Sequence, residues 1–132
     1  MTNDAPDRAG IEDLVIRFTD AFNRDDLDEA MTYFADDAFY DEFNGTRSHG
    51  KDAIREALVP QFRGDYGTIR FHTEGISVDA SSGTALIRWL CTLESGGVRQ
   101  GWRGLDVLCF EHGLLKEKHT YAKADVPLLR PA

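Results

Sequence analysis

The chain is poor in cysteine, proline and positive charge, and it has no long apolar run. Cys91 and Cys109 are its two cysteines. Both lie inside apparent strands and no C-x-x-C spacing exists, so they read as buried free thiols and no metal centre is indicated. Lys and Arg number 15 against 23 Asp and Glu, for a formal charge of −8. Nucleic acid and anionic membrane both need a basic footprint, which this balance does not offer. No stretch approaches the roughly 18 uninterrupted apolar residues of a membrane span. The opening MTNDAPDRAG has no apolar signal core, and residues 1–8 are expected to form a flexible leader. Internal repeats and low-complexity linkers are also missing. What these absences leave is a cytoplasmic single domain over residues 1–132, 42% hydrophobic and able to build one core.

The first third has helical periodicity. Ile11, Leu14, Val15, Phe18 and Phe22 form one apolar stripe over about residues 8–23. After the break at NRDD, a second short helix carries Leu27, Ala30, Met31 and Phe34 on one face, with Asp26 and Glu29 spaced as a capping box. Asp36 and Asp37 are expected to solvate its end. A short strand from about Ala38 to Phe43 follows, turning at Asn44-Gly45. A third helix runs from about Lys51 to Val59, with Ile54, Ala57 and Leu58 inward and Pro60 closing it. Beyond Gly67 the segments 68–78, 84–94, 98–110 and 114–122 read as strands separated by the hairpin signals SSG, GG and HG. Helices followed by an antiparallel meander predict an α+β domain, with three N-terminal helices packed on one face of a curved, mainly antiparallel sheet.

One strand poses a chemical question. In WRGLDVLCF, Asp106 has only apolar neighbours from Leu105 to Phe110, although a carboxylate is costly to bury without a partner. If Gly96-Gly97 is a two-residue turn, Ile87 lies opposite Asp106 and Trp89 opposite Gly104. If His112-Gly113 is another, His119 lies opposite Asp106. Opposed residues share a face. That face would collect Ile87, Trp89, Cys91, Trp102, Asp106, Leu108, Glu117, His119 and Tyr121. The other carries Leu105, Val107 and Cys109, which need a second cover; a homodimer through this convex face is predicted. Asp106 is then either a pocket acid or half of a structural pair with His119 or Arg88. His49 and His112 fall in loops, and the facing of His72 depends on the SSG loop.

The stretches AFNRDDLDEAMTYFADDAFYDE, GKDAIREAL and RGLDVLCFEHGLLKEKHTYAKAD together resemble the nuclear transport factor 2-like (NTF2-like) superfamily, and within it the SnoaL-like and ketosteroid isomerase-like bacterial proteins. The resemblance spans about Ile11 to Asp125 and implies a cone-shaped fold that hosts isomerases, cyclases, hydrolases, dehydratases and non-enzymes. It implies a general base at Glu42, with Asp41 at the neighbouring position, and a hydrogen-bond-donating aspartic acid at Asp106. A neutral aspartic acid in an apolar site is the established ketosteroid isomerase case. The isomerase's oxyanion-binding tyrosine corresponds to Phe18, which has no hydroxyl, and the acid of the epoxide-hydrolase branch corresponds to Thr120.

These observations converge on a pocket for a small apolar ligand or substrate. Phe18, Phe34, Tyr40, Leu58, Ile87, Trp89, Trp102, Leu108 and Tyr121 are the expected lining. Proton transfer without a cofactor or metal, as in isomerisation or polyketide-type cyclisation of a carbonyl compound, would use Glu42 (or Asp41) as base and Asp106 with His119 at the oxyanion. A ligand-binding or scaffolding module with no chemistry is the alternative.

Overall fold

The computed structural model describes residues 6–127 and 129–131. Of the leader expected over 1–8, residues 1–5 lie outside the described residues. Helix α1 (Arg8–Asn23) starts where Asp7 accepts a hydrogen bond from the Gly10 amide at 2.8 Å. Its stripe of Ile11, Val15, Phe18 and Phe22 is buried. Helix α2 (Leu27–Thr32) is capped by Asp26, whose carboxylate accepts from the Glu29 amide at 3.1 Å. Four of the six strands follow after α3, while β1 (Phe34–Asp41) and β2 (Arg47–His49) precede it. Phe34 therefore opens β1 instead of closing a helix, and Asp36 and Asp37 are strand residues, not a helix terminus.

Helix α3 (Lys51–Arg63) runs through Pro60 and ends at Gly64, in the left-handed region at φ 84°. The expected stop at Pro60 is overridden because the next turn carries Phe62 onto Phe22, with ring centroids 4.8 Å apart. The short strand expected over about 38–43, between the second and third helices, is β1, which starts earlier at Phe34 and forms a hairpin with β2, so two helices, a hairpin and a third helix precede the meander.

The meander is β3 (Thr68–Asp79), β4 (Thr84–Ser95), β5 (Val98–Glu111) and β6 (Leu114–Ala122). The six strands form one sheet in the order β2-β1-β6-β5-β4-β3, antiparallel except for the β1–β6 pair. Helix α1 packs on β3 and β4, and α3 on β1 and β2, so the helices cover one face. The core lies between, around Ile11, Val15, Phe34, Ile54, Leu58, Ile87, Leu108 and Leu115. No helix among the described residues is long and apolar enough to cross a membrane.

Both two-residue turns form as predicted. Gly96 and Gly97 have positive φ and join Ser95 to its partner Val98. His112 and Gly113 likewise join Glu111 to Leu114. Past the first turn Ile87 faces Asp106 and Trp89 faces Gly104, as the pattern requires. Past the second, a bulge intervenes: Phe110 pairs with Leu115 but Cys109 pairs with Glu117, leaving Lys116 as an extra residue. The ladder then sets Asp106 opposite Thr120 and Val107 opposite His119. One inserted residue exchanges the two faces of a strand. The placement of Glu117, His119 and Tyr121 on the inner face is thus corrected to the outer face, and Lys118 and Thr120 take their places.

Candidate functional site

Asp106 is 8% exposed and Lys118 is 5% exposed, and the two meet on the inner face. Lys118 Nζ donates to Asp106 Oδ1 at 3.0 Å and to Thr120 Oγ1 at 2.8 Å. Thr120 Oγ1 donates to the same carboxylate oxygen at 2.5 Å, and Trp89 Nε1 donates to Oδ2 at 3.1 Å. The carboxylate in the apolar strand is therefore an acceptor with both oxygens occupied, paired with a lysine. Neither Arg88, which is exposed on the outer face, nor His119 is its partner. Burial, the largest single influence, depresses the Lys118 ammonium, but Asp106 and Tyr40 together raise it by more and the net shift is upward. The ammonium also lies 4.5 Å from the Tyr40 ring centroid.

Two local features hold this network. Trp89 reaches Asp106 across Gly104, where a Cβ would stand 2.5 Å from the indole ring. The β6 bulge turns Lys118 inward, and Lys116, the bulged residue, is tied by its ammonium to Asp37 on β1. The β1–β6 ladder shifts register over the same stretch, between Phe34 and Phe39.

Lys118 and Thr120 form part of the wall of a chamber of about 460 Å³. Its other walls are largely aromatic, including Phe22, Tyr40, Phe71, Trp89 and Trp102. Glu42 stands in the lining, just past the end of β1. Alternation along the chain turns Tyr40 and Glu42 inward and Asp41 outward. Asp41 lies 3.6 Å from His119 Nδ1 and 3.8 Å from Arg47 Nε. The backbone at Glu42 is fixed by its amide, which donates to the Thr46 carbonyl at 2.9 Å. Its carboxyl has no hydrogen-bond or ion-pair partner among the described residues. Desolvation raises the carboxyl above the ordinary glutamate value, and the positive charge of Lys118 holds back part of that rise. Burial likewise raises the Tyr40 phenol and pushes the Cys91 thiol up to about 12, so both keep their protons at neutral pH.

Of the expected lining, Tyr40, Trp89 and Trp102 face the chamber. Phe34, Leu58, Ile87 and Leu108 are instead packed core, and Phe18 borders only a void of about 20 Å³ behind Lys118. Tyr121 is 58% exposed on the outer face. His119 also faces outward, where its Nε2 lies 2.9 Å from Glu117 Oε1 and its ring meets Phe39 edge-on. His72 is on that face too, 3.0 Å from Thr92 Oγ1. Lys118 is the residue that sequence reasoning missed. A lysine beside an apolar strand reads as solvated, and only the bulge turns it inward. Among the described residues no group of three or more His, Cys, Asp or Glu is arranged to hold a metal ion.

A model of the SnoaL-like domain matches residues 15–118. The chain belongs to the SnoaL-like family. Solved structures with this fold include a candidate polyketide cyclase from Xanthomonas campestris pv. campestris, at 18% identity and TM-score 0.73, with 86% of this chain and 90% of that one covered. Bal32a, from a soil-derived mobile gene cassette, is similar at 19% identity and TM-score 0.75, covering 91% and 92%. An NTF2-like protein of unknown function from Mesorhizobium loti gives 19% and 0.75, covering 94% and 97%. At these identities the likeness is one of fold. No curated protein matches the sequence. In this SnoaL-like chain the inner face of the sheet carries a lysine–aspartate pair at the chamber wall and a free carboxyl at Glu42.

Proposed function

We propose that this SnoaL-like protein catalyses proton transfer without a cofactor on a small apolar carbonyl compound, as an isomerase or a polyketide-cyclase-like enzyme. The observation that carries the proposal is one aromatic chamber holding both Glu42, whose carboxyl has no partner among the described residues, and a fixed ammonium, Lys118. Glu42 removes a proton from the carbon next to the carbonyl. The negative charge moves to the carbonyl oxygen, which Lys118 stabilises. Its ammonium is held by Asp106 and Thr120 and needs no reorganisation as the charge develops. The enolate then takes the proton back from Glu42 at another carbon, which is isomerisation, or its carbon attacks a second carbonyl and the alkoxide so formed takes the proton from Glu42, which is aldol cyclisation. Asp106 acts here as a positioning residue for Lys118, and His119 has no part in the chamber chemistry. The candidate polyketide cyclase among the fold relatives fits the cyclisation branch.

A second reading, a ligand-binding or scaffolding module without chemistry, is favoured by two observations. Phe18 offers no hydroxyl, and both Asp106 oxygens are already occupied. The deciding experiment identifies by native mass spectrometry the ligand carried through purification, then assays its conversion by wild type, Glu42→Gln and Asp41→Asn. Loss of conversion in Glu42→Gln alone supports the enzyme. A tightly bound ligand that none of the three converts establishes the binder.

The outer face of the sheet supports an accompanying proposal of a cytoplasmic homodimer. Leu86, Leu90, Leu105 and Val107 lie there half-buried, with no helix of the described residues across them. Ions of both signs surround them, such as Arg103 with Glu74 at 3.0 Å, and a two-fold interface pairs such a patch with itself.

A further inference from the structure

The chamber has a neighbour. A groove of about 750 Å³ borders it, and three chamber residues, Phe43, Trp102 and Thr120, form part of the groove's wall as well. The far side of the groove is built by Tyr121, Ala124 and Pro127, as the chain leaves β6. This terminal segment is tied down at both ends. The Lys123 amide donates to the Arg103 carbonyl at 2.8 Å, and Arg130 Nη2 donates to the Asn44 carbonyl at 2.6 Å, beside Phe43. The groove is thus largely formed before any ligand arrives.

Behind Lys118 the void is only about 20 Å³, room for a single water. A ligand that sets its carbonyl against Lys118 cannot extend that way. The groove past Phe43 and Trp102 offers room for its remaining length. Phe43 is 55% exposed, an aromatic ring left in water where chamber and groove meet, and Tyr121, whose side chain belongs to the outer face, borders the groove from the other side of β6.

We infer that the chamber is the inner half of a two-compartment site, and that its ligand carries an apolar arm lying in the groove between Tyr121 and Pro127. The inference rests on the proposed carbonyl-binding role of the chamber and adds the shape of the ligand. A compact carbonyl compound would fill only the inner half. An elongated one, a ring head with a hydrocarbon arm, covers Phe43 and Tyr121.

The test is calorimetric titration with alkyl 2-naphthyl ketones whose arms grow from two to ten carbons. Each buried methylene is worth about fourfold in affinity. Wild type is expected to bind the ten-carbon ketone at least about tenfold more tightly than the two-carbon ketone. Ala124→Arg fills the groove and Tyr121→Ser removes one wall. Both variants should bind the two-carbon ketone as wild type does and lose the gain with arm length. An affinity that does not rise with arm length in wild type overturns the inference, and so does a gain that survives in both variants. Failure of even the two-carbon ketone to bind rejects the carbonyl-binding role of the chamber, and the inference with it. Normal binding of that ketone with no gain rejects the second compartment alone.

Discussion

Glu42 stands in the chamber wall without a partner among the described residues, and desolvation holds its carboxyl above the ordinary glutamate value. A positioned base contributes about 10²–10⁴-fold to rate, so Glu42→Gln should lower turnover within that range and leave ligand affinity nearly unchanged. The pH–rate profile of wild type should lose activity as pH falls through the Glu42 value, raised above that of an ordinary glutamate, and the variant should lack that limb. Stability runs the opposite way. A carboxyl whose value is higher in the folded than in the unfolded state binds its proton more tightly when folded. Stability therefore falls as pH rises from the unfolded value through the folded one. Glu42→Gln should accordingly be more stable than wild type at neutral pH, the difference vanishing in acid, as denaturant titrations at two pH values would measure. Asp41→Asn touches only half-exposed contacts on the outer face and should change stability by less than about 0.5 kcal/mol, with turnover intact. The partner residue, Lys118, behaves differently because it is buried with Asp106. Lys118→Met strands a buried carboxylate and should cost about 3–5 kcal/mol in urea unfolding. Lys118→Met with Asp106→Leu should recover much of that loss and none of the turnover.

At the scale of the element, β6 is the piece on which the site depends. Its bulge at Lys116 shifts the ladder by one, so the strand presents Lys118 and Thr120 to the chamber and His119 to the outer face. Deleting Lys116 removes the extra residue and leaves a regular ladder with the pairing already observed, Lys118 opposite Leu108 and Thr120 opposite Asp106. Asp106 keeps its lysine and its threonine, so urea unfolding should show a smaller loss for the deletion than for Lys118→Met. Strand β5 makes a smaller contribution of the same kind. At Gly104 a side chain would collide with the Trp89 ring and with the Tyr121 carbonyl, at 2.5 and 2.3 Å. Gly104→Ala should destabilise by about 1–3 kcal/mol by displacing the indole that donates to Asp106.

For the whole molecule, the sheet divides two tasks between its faces. Helices and chamber occupy one face, and the other is half-apolar with no covering layer among the described residues. If two copies join through that outer face, sedimentation at micromolar concentration should give a dimer. Val107→Glu, which sets a charge at the centre of the patch, should give a folded monomer that still binds ligand. A wild-type monomer with the same Val107 exposure would reject the interface.

Much of this protein is written locally. The apolar stripe of α1, the Asp26 cap and the two glycine turns all depend on residues a few positions apart, and they form where the pattern puts them. The α+β class, the four meander strands and the pairing of Ile87 with Asp106 follow from those elements, because a two-residue turn fixes register as far as the first irregularity. The SnoaL-like resemblance adds the inward acid next to β1, and period-two alternation from Tyr40 selects Glu42 over Asp41. Tertiary structure decides what alternation cannot carry. The bulge at Lys116 has no turn signal in the sequence. It sits where β6 meets the irregular start of β1 and where Asp37 holds the extra lysine, contacts between segments nearly eighty positions apart. That single residue determines which of Lys118 and His119 enters the chamber. Pro60 is a similar case: its local rule ends a helix, and the packing of Phe62 on Phe22 continues it. Local periodicity specifies which side chains share a face as far as the pairing stays regular. Only the packed sheet specifies where regularity breaks, because the energy that stabilises a bulge comes from residues distant in the chain.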